Sequence, residues 1–186
     1  MILYIKNMVC NRCIRDVKDI FHALNIPINQ ISLGEIEVEQ GRLPAQLQSL
    51  KESLSNNGFE LIEDKKVQII EIIKTLVIQQ IQQENKERNL NFSTLIVEKL
   101  NKDYSYLSSL FSSVEGITIE KYILLQKVEK IKELLVYNEL SLSEIAFRLD
   151  YSSVQHLSTQ FKKTTGLNPS YFKKLKDHLR KPLDQV

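Results

Sequence analysis

No run in this 186-residue chain approaches the roughly 20 apolar residues that a bilayer span requires, and no signal-peptide pattern opens it. Both absences point to a protein of the cytoplasm with no membrane partner. Cysteine is limited to Cys10 and Cys13, and cytoplasmic thiols stay reduced, so no structural disulfide is expected. The chain also lacks a Gly-rich phosphate loop, a carboxylate pair assignable to a pocket, and a Ser/His/Asp set on a credible scaffold. Catalysis is therefore not expected.

The net charge of +2 becomes informative only when divided along the chain. Residues 1–64 carry six cations against nine acids, residues 65–89 five against three, and residues 90–186 fourteen against eleven. Near the end, Lys162, Lys163, Lys173, Lys174, Lys176, Arg180 and Lys181 face only Asp177 and Asp184. An acidic front and a basic back suggest separate tasks, with a polyanion as the partner of the back half.

Periodicity divides the chain in the same way. "MILYIKNM" is a short β-rich run, and "CNRCIRDVKDIFHAL" sets Ile14, Val17, Ile20, Phe21 and Leu24 at helical spacing. "INQISLGEIEVEQG" reads as two strands joined at Gly34, Pro44 opens a second helix ending near Asn57-Gly58, and "FELIE" closes with a strand. The order βαββαβ over 1–64 suits a ferredoxin-like sandwich. Residues 65–89 hold no Gly or Pro and crowd Val67, Ile69, Ile70, Ile72, Ile73, Leu76, Val77, Ile78 and Ile81 together. So apolar a connecting helix must pack on a neighbour, either a flanking domain or a second chain in a homodimer. The remainder reads as helix, a 90–180 domain followed by a 181–186 tail. The fold class is thus α+β: an N-terminal sandwich, a connecting helix and an all-α C-terminal domain.

Within 90–180, two halves align as a weak repeat, Leu100 with Leu149, Leu107 with Leu157, Phe111 with Phe161 and Gly116 with Gly166. Each half is a helix, a tight turn and a second helix, and one long amphipathic helix, "TIEKYILLQKVEKIKELLVYN", joins them. Ser141 and Glu144 form a capping box at one helix start. Double helix-turn-helix geometry puts each second helix against duplex DNA. Leu157 and Phe161 face inward, which leaves Val154, Gln155, His156, Ser158, Thr159 and Lys162 along the outer side, with Lys163 beside them. Gln155 suits an adenine edge, and Lys162 or Lys163 suits phosphate. His156 reads as a base or phosphate contact or as an ordinary solvated residue. In the first half the corresponding helix offers Ser105, Ser108 and Ser109, with Asp103, Ser112 and Glu115, and no cation. His22 and His178 read as surface or boundary residues. Tyr104, Tyr106 and Tyr122 read as packing groups, since duplex DNA presents no free base faces.

"SLSEIAFRLDYSSVQHLSTQFKKTTGLNPSYFKK" resembles the signature of the AraC/XylS family of transcription regulators. Ile145-Ala146, Ser153, Phe161-Lys162-Lys163, Gly166, Pro169 and Phe172-Lys173 carry the resemblance, and Asp150 stands where that family usually has a turn glycine. The resemblance implies two recognition helices in adjacent major grooves of double-stranded DNA. At the other end, Cys10 and Cys13 allow three readings: a soft-metal site, a redox pair, or thiols kept without metal use. "NMVCNRC" within βαββαβ resembles the heavy-metal-associated domain of copper chaperones and metal-pumping ATPases, with Met8 packed beneath the loop. That resemblance implies a metal site of Cys10 and Cys13, Cu(I) before Zn(II), because two thiolates suit an ion of low coordination number. Arg12 and Arg15 would favour the thiolates electrostatically. The joint expectation is a transcription regulator that senses a soft ion or thiol state. The alternative is a metal-trafficking, metallochaperone-like protein whose helical half binds a protein partner.

Overall fold

The computed structural model describes residues 1–39, 43–83 and 91–175. Arg42, the expected helix beyond residue 83, and the basic tail with Lys176, His178, Arg180 and Lys181 lie outside them. The chain separates into two compact units, residues 1–75 and 76–186.

The first unit runs β1 (Ile2–Lys6), α1 (Asn11–Ala23), β2 (Ile28–Ser32), β3 (Glu35–Val38), α2 (Leu43–Asn56) and β4 (Glu60–Ile62). The strands form one sheet in the order β2-β3-β1-β4, and every neighbouring pair is antiparallel. Leu3 lies opposite Ile36, and Ile5 opposite Leu61. Alternation therefore sends Leu3, Ile5, Ile36 and Val38 to one face, where they are buried with Val17 and Phe21 of α1 and Leu50 and Leu54 of α2. Full burial of Phe21 alone contributes about 2–3 kcal/mol. At the β2–β3 turn Gly34 has φ +77°, and a Cβ there would stand 3.0 Å from Thr75 Oγ1. Its carbonyl accepts the Ile5 amide at 3.0 Å. Both the left-handed backbone and the close approach require glycine.

The expected connecting helix is α3 (Lys65–Gln82), whose start is held by Asp64 Oδ1 accepting the Lys66 amide at 2.7 Å. Ile70, Ile73, Val77, Ile78 and Ile81 are buried. The division between the two units falls inside this helix, which holds no glycine or proline.

The second unit continues with α4 (Phe92–Leu100), α5 (Tyr104–Glu115), α6 (Ile119–Tyr137), α7 (Leu142–Arg148), α8 (Val154–Thr165) and α9 (Pro169–Leu175). The chain is thus α+β, with a small antiparallel sheet in front and a helical domain behind. Among the described residues no helix is long and apolar enough to cross a membrane.

Candidate nucleic-acid interface and thiol pair

Helix ends in the second unit are set residue by residue. Asn91, Thr118, Ser141 and Ser153 each accept a backbone amide from the first turn they precede, and Ser141 with Glu144 completes the expected capping box. Asn101, Gly116, Asn138 and Gly166 stop the helices in left-handed conformation.

The repeat survives in three dimensions. Leu107, Phe111, Leu157 and Phe161 are fully buried, and Gly116 and Gly166 have φ of +71° and +78°. The turns open on matching left-handed residues, Asn101 (φ +48°) and Asp150 (φ +56°), so Asp150 does replace a turn glycine. An exposed Asp tolerates this geometry where a β-branched residue does not. Asp150→Gly is expected to leave stability unchanged or raise it by up to about 1 kcal/mol, and Asp150→Val to lower it by about 1–2 kcal/mol. Urea midpoints check both; an equally tolerated valine would show that the turn does not constrain this position.

The outer side of α8 is as the sequence led us to expect, with two adjustments. Gln155, His156, Thr159, Lys162 and Lys163 are exposed, whereas Val154 and Ser158 are half-buried. His156 is held rather than loose: Ser152 Oγ lies 3.1 Å from its Nδ1, and the Tyr151 ring meets it edge-on with centroids 5.4 Å apart. Tyr151 is itself braced by Lys127, whose ammonium stands 5.2 Å from the ring centroid and donates to the Leu149 carbonyl at 2.7 Å. Burial pushes the Tyr151 hydroxyl up to about 12, and that oxygen is buried without a hydrogen-bond partner. The second turn is therefore strutted to α6.

On α5, Ser105 and Ser109 are exposed and Ser108 is half-buried. Two of the three tyrosines are packing groups: Tyr122 is buried, and Tyr104 is half-buried with its hydroxyl donating to Glu120 Oε1 at 2.6 Å. That bond holds the Glu120 carboxyl below its ordinary range. Tyr106 is not a packing group, since it is 47% exposed on the outer side of α5. Lys102, in the turn before the helix, places its ammonium 5.7 Å from the Tyr106 ring centroid. Lys102 lies in the turn outside α5, so the residues of the helix alone do not reveal this cation.

In the first unit, Cys10 precedes α1 and Cys13 lies in its first turn, with their sulfurs 3.6 Å apart and both half-buried. Met8 is buried at 3% exposure. Burial pushes the Cys10 thiol up, but the amides of Cys13 and Arg12 and the Cys13 thiol outweigh it, leaving Cys10 below its ordinary value. Burial and the adjoining Cys10 sulfur leave Cys13 above its own. The Arg12 guanidinium extends into solvent, 3.9 Å from Asp16, while its backbone amide is one of the groups that lower the Cys10 thiol, after the amide and thiol of Cys13. Two sulfurs at this spacing can each lie about 2.3 Å from one ion. Among the described residues no cluster of three or more His, Cys, Asp or Glu gathers there or elsewhere. Two thiolates suit a soft ion in number, but at 3.6 Å they would subtend roughly 100° at an ion about 2.3 Å from each, so they must spread to reach a linear two-coordinate arrangement.

Comparison with known proteins follows the second unit. A family model described as a helix-turn-helix domain matches residues 96–175. The Msm operon regulatory protein of Streptococcus mutans is 34% identical over 79 residues, 42% of this chain and 28% of the relative. The chain thus spans well under half the length of that protein. The transposon Tn10 TetD protein of Escherichia coli is 31% identical over 93 residues, 48% of this chain and 67% of the relative. Among solved structures, the C-terminal domain of AraT, a response regulator from Geobacillus stearothermophilus, superposes with a TM-score of 0.52 at 25% identity. It covers 62% of this chain and 91% of that one. The paired turns, the buried Leu and Phe of each repeat and these relatives agree, and through its C-terminal half the chain belongs to the AraC/XylS-type helix-turn-helix family of DNA-binding transcription regulators.

Proposed function

We propose that this chain binds specific duplex sequences through α5 and α8 and takes a soft ion, Cu(I), as its input through Cys10 and Cys13. The observation that carries the input is the pair of sulfurs 3.6 Å apart at the start of α1, with Met8 buried just before them in the chain. The βαββαβ order and the strand order β2-β3-β1-β4 support reading the first unit as ferredoxin-like and of the heavy-metal-associated type. Bound Cu(I) would supply one positive charge and a link between the thiolates. This chain's own part is to present two deprotonated sulfurs and to exclude competing ligands.

For the ion to regulate, its affinity must differ between two states of the protein, and a coupling of about 1–3 kcal/mol suffices. That is about a 5- to 150-fold change in DNA affinity. Mobility shifts at fixed salt, on duplexes selected from a random pool by the chain itself, read it directly. Equal affinity for apo, Cu(I)-loaded and Cys10→Ser/Cys13→Ser proteins would leave DNA binding intact and remove metal from its control. A homodimer through α3 would have to draw on half-buried Val67, Ile69, Ile72 and Leu76, because the other apolar positions are already buried.

The metallochaperone-like reading, with the helical half docking on a protein, draws on one observation: α5 itself carries no cation. DNA binding that does not weaken with salt would favour it.

A further inference from the structure

Among the positions at which the two repeats differ, one matched pair of side chains shares a geometry. Asp103 and Ser153 precede the two recognition helices, Leu107 and Leu157 are their buried anchors, and each counterpart lies fifty positions on. In that frame Tyr106 corresponds to His156, and Lys102 to Ser152. Each pair is related i, i+4, and in each the turn side chain touches the ring on the helix. Ser152 Oγ lies 3.1 Å from His156 Nδ1, and the Lys102 ammonium stands 5.7 Å from the Tyr106 centroid. The device is the same, but its chemistry is exchanged. A neutral hydroxyl supports an imidazole in the second repeat, and a cation covers a phenol in the first.

We propose that Lys102 and Tyr106 are the DNA-contacting pair of the first helix-turn-helix repeat, Lys102 on a backbone phosphate and Tyr106 against a base edge as a specificity-determining side chain. This rests on the DNA-binding reading above and supplies what the serine-lined helix lacks. Lys102 and Tyr106 are both exposed, and Ser109 lies one turn further along the same face as Tyr106. A cation–ring contact at an exposed site is weak, so exchanging the ring for a phosphate costs the lysine little. The tyrosine ring offers an apolar flank to a thymine methyl, and its hydroxyl can donate to or accept from a base edge.

The test uses the full chain and duplexes that the wild type selects from a random pool. Lys102→Ala is expected to weaken binding evenly across sequences and to reduce the steepness of the log affinity against log salt plot by about one. Tyr106→Ala is expected to relax selection over one part of the site, with about a tenfold loss of discrimination there, while the part altered by Gln155→Ala stays unchanged. Tyr106→Phe separates the hydroxyl from the ring. Because both side chains are exposed, unfolding midpoints should not move, so lost binding cannot be ascribed to lost folding. An unchanged salt slope for Lys102→Ala together with unaltered selection by Tyr106→Ala, while Gln155→Ala still alters it, overturns this pair alone. A wild type with no salt-dependent duplex binding overturns the DNA-binding reading and this inference together.

Discussion

Phe161→Ala is expected to destabilise the helical unit by about 3–5 kcal/mol and to remove DNA binding. Phe161 is fully buried, and its ring meets Phe172 of α9 edge-on, with centroids 5.5 Å apart. Truncation removes the buried aromatic area and leaves a cavity that α8 and α9 close only in part. The loss is comparable with the whole stability of a domain this size, about 5–15 kcal/mol. Because α8 carries Gln155, His156 and Lys162, misplacing it misplaces the interface. Hydrogen exchange should show lost protection in α8 and α9 and retained protection in β1 and β3. Phe147→Ala is the contrasting substitution: that ring is 60% exposed, and its removal should change stability by no more than about 0.5 kcal/mol. Similar losses at both positions would mean that burial does not rank these residues.

Replacing Cys10 and Cys13 together by serine is expected to abolish Cu(I) binding, from one ion per chain to none, in competition with a chromophoric Cu(I) chelator. Soft thiolate donors select this ion, and a serine hydroxyl neither ionises near neutral pH nor matches that softness. Each single substitution should remove most of the affinity, since no third donor gathers at the site among the described residues. The fold should survive, because both cysteines are only half-buried while the adjoining core rests on Met8, Val17 and Phe21. One ion retained per chain in the double variant would place the metal elsewhere.

Much of this architecture was readable from residue order alone, and particular residues show why. Ile36 and Val38 alternate with Glu35 and Glu37, so the strand and its inward face followed from a period of two. Leu157 and Phe161 sit one turn apart, so their inward orientation followed from a period of 3.6. The candidate interface was harder. Val154 falls on the outer side by periodicity yet is half-buried in the first turn of its helix, beside the α7–α8 turn that Lys127 braces. Tyr106 reads as a packing group because duplex DNA presents no free base faces, and only the path of the preceding turn shows that Lys102 reaches its ring. Arg12 followed the charge argument on paper, but its side chain points to Asp16 while its amide faces the sulfur. Periodicity fixes which side of an element a residue occupies. It does not fix where a long side chain ends.

The helix between the two repeats has a further consequence. α6 spans 19 residues, is started by the Thr118 side chain and stopped by left-handed Asn138, and contains neither glycine nor proline. At 1.5 Å per residue it is a rod of about 28 Å, somewhat shorter than one turn of duplex DNA. It acts as a ruler with both ends fixed. One residue added to it would swing the following repeat by about 100°, whereas one base pair added between the two contacted patches turns the duplex by only about 35°. Neither change can compensate for the other, so if both repeats contact the duplex as proposed, the spacing of the two patches is set by the protein, and drift in that spacing is not a path open to its targets.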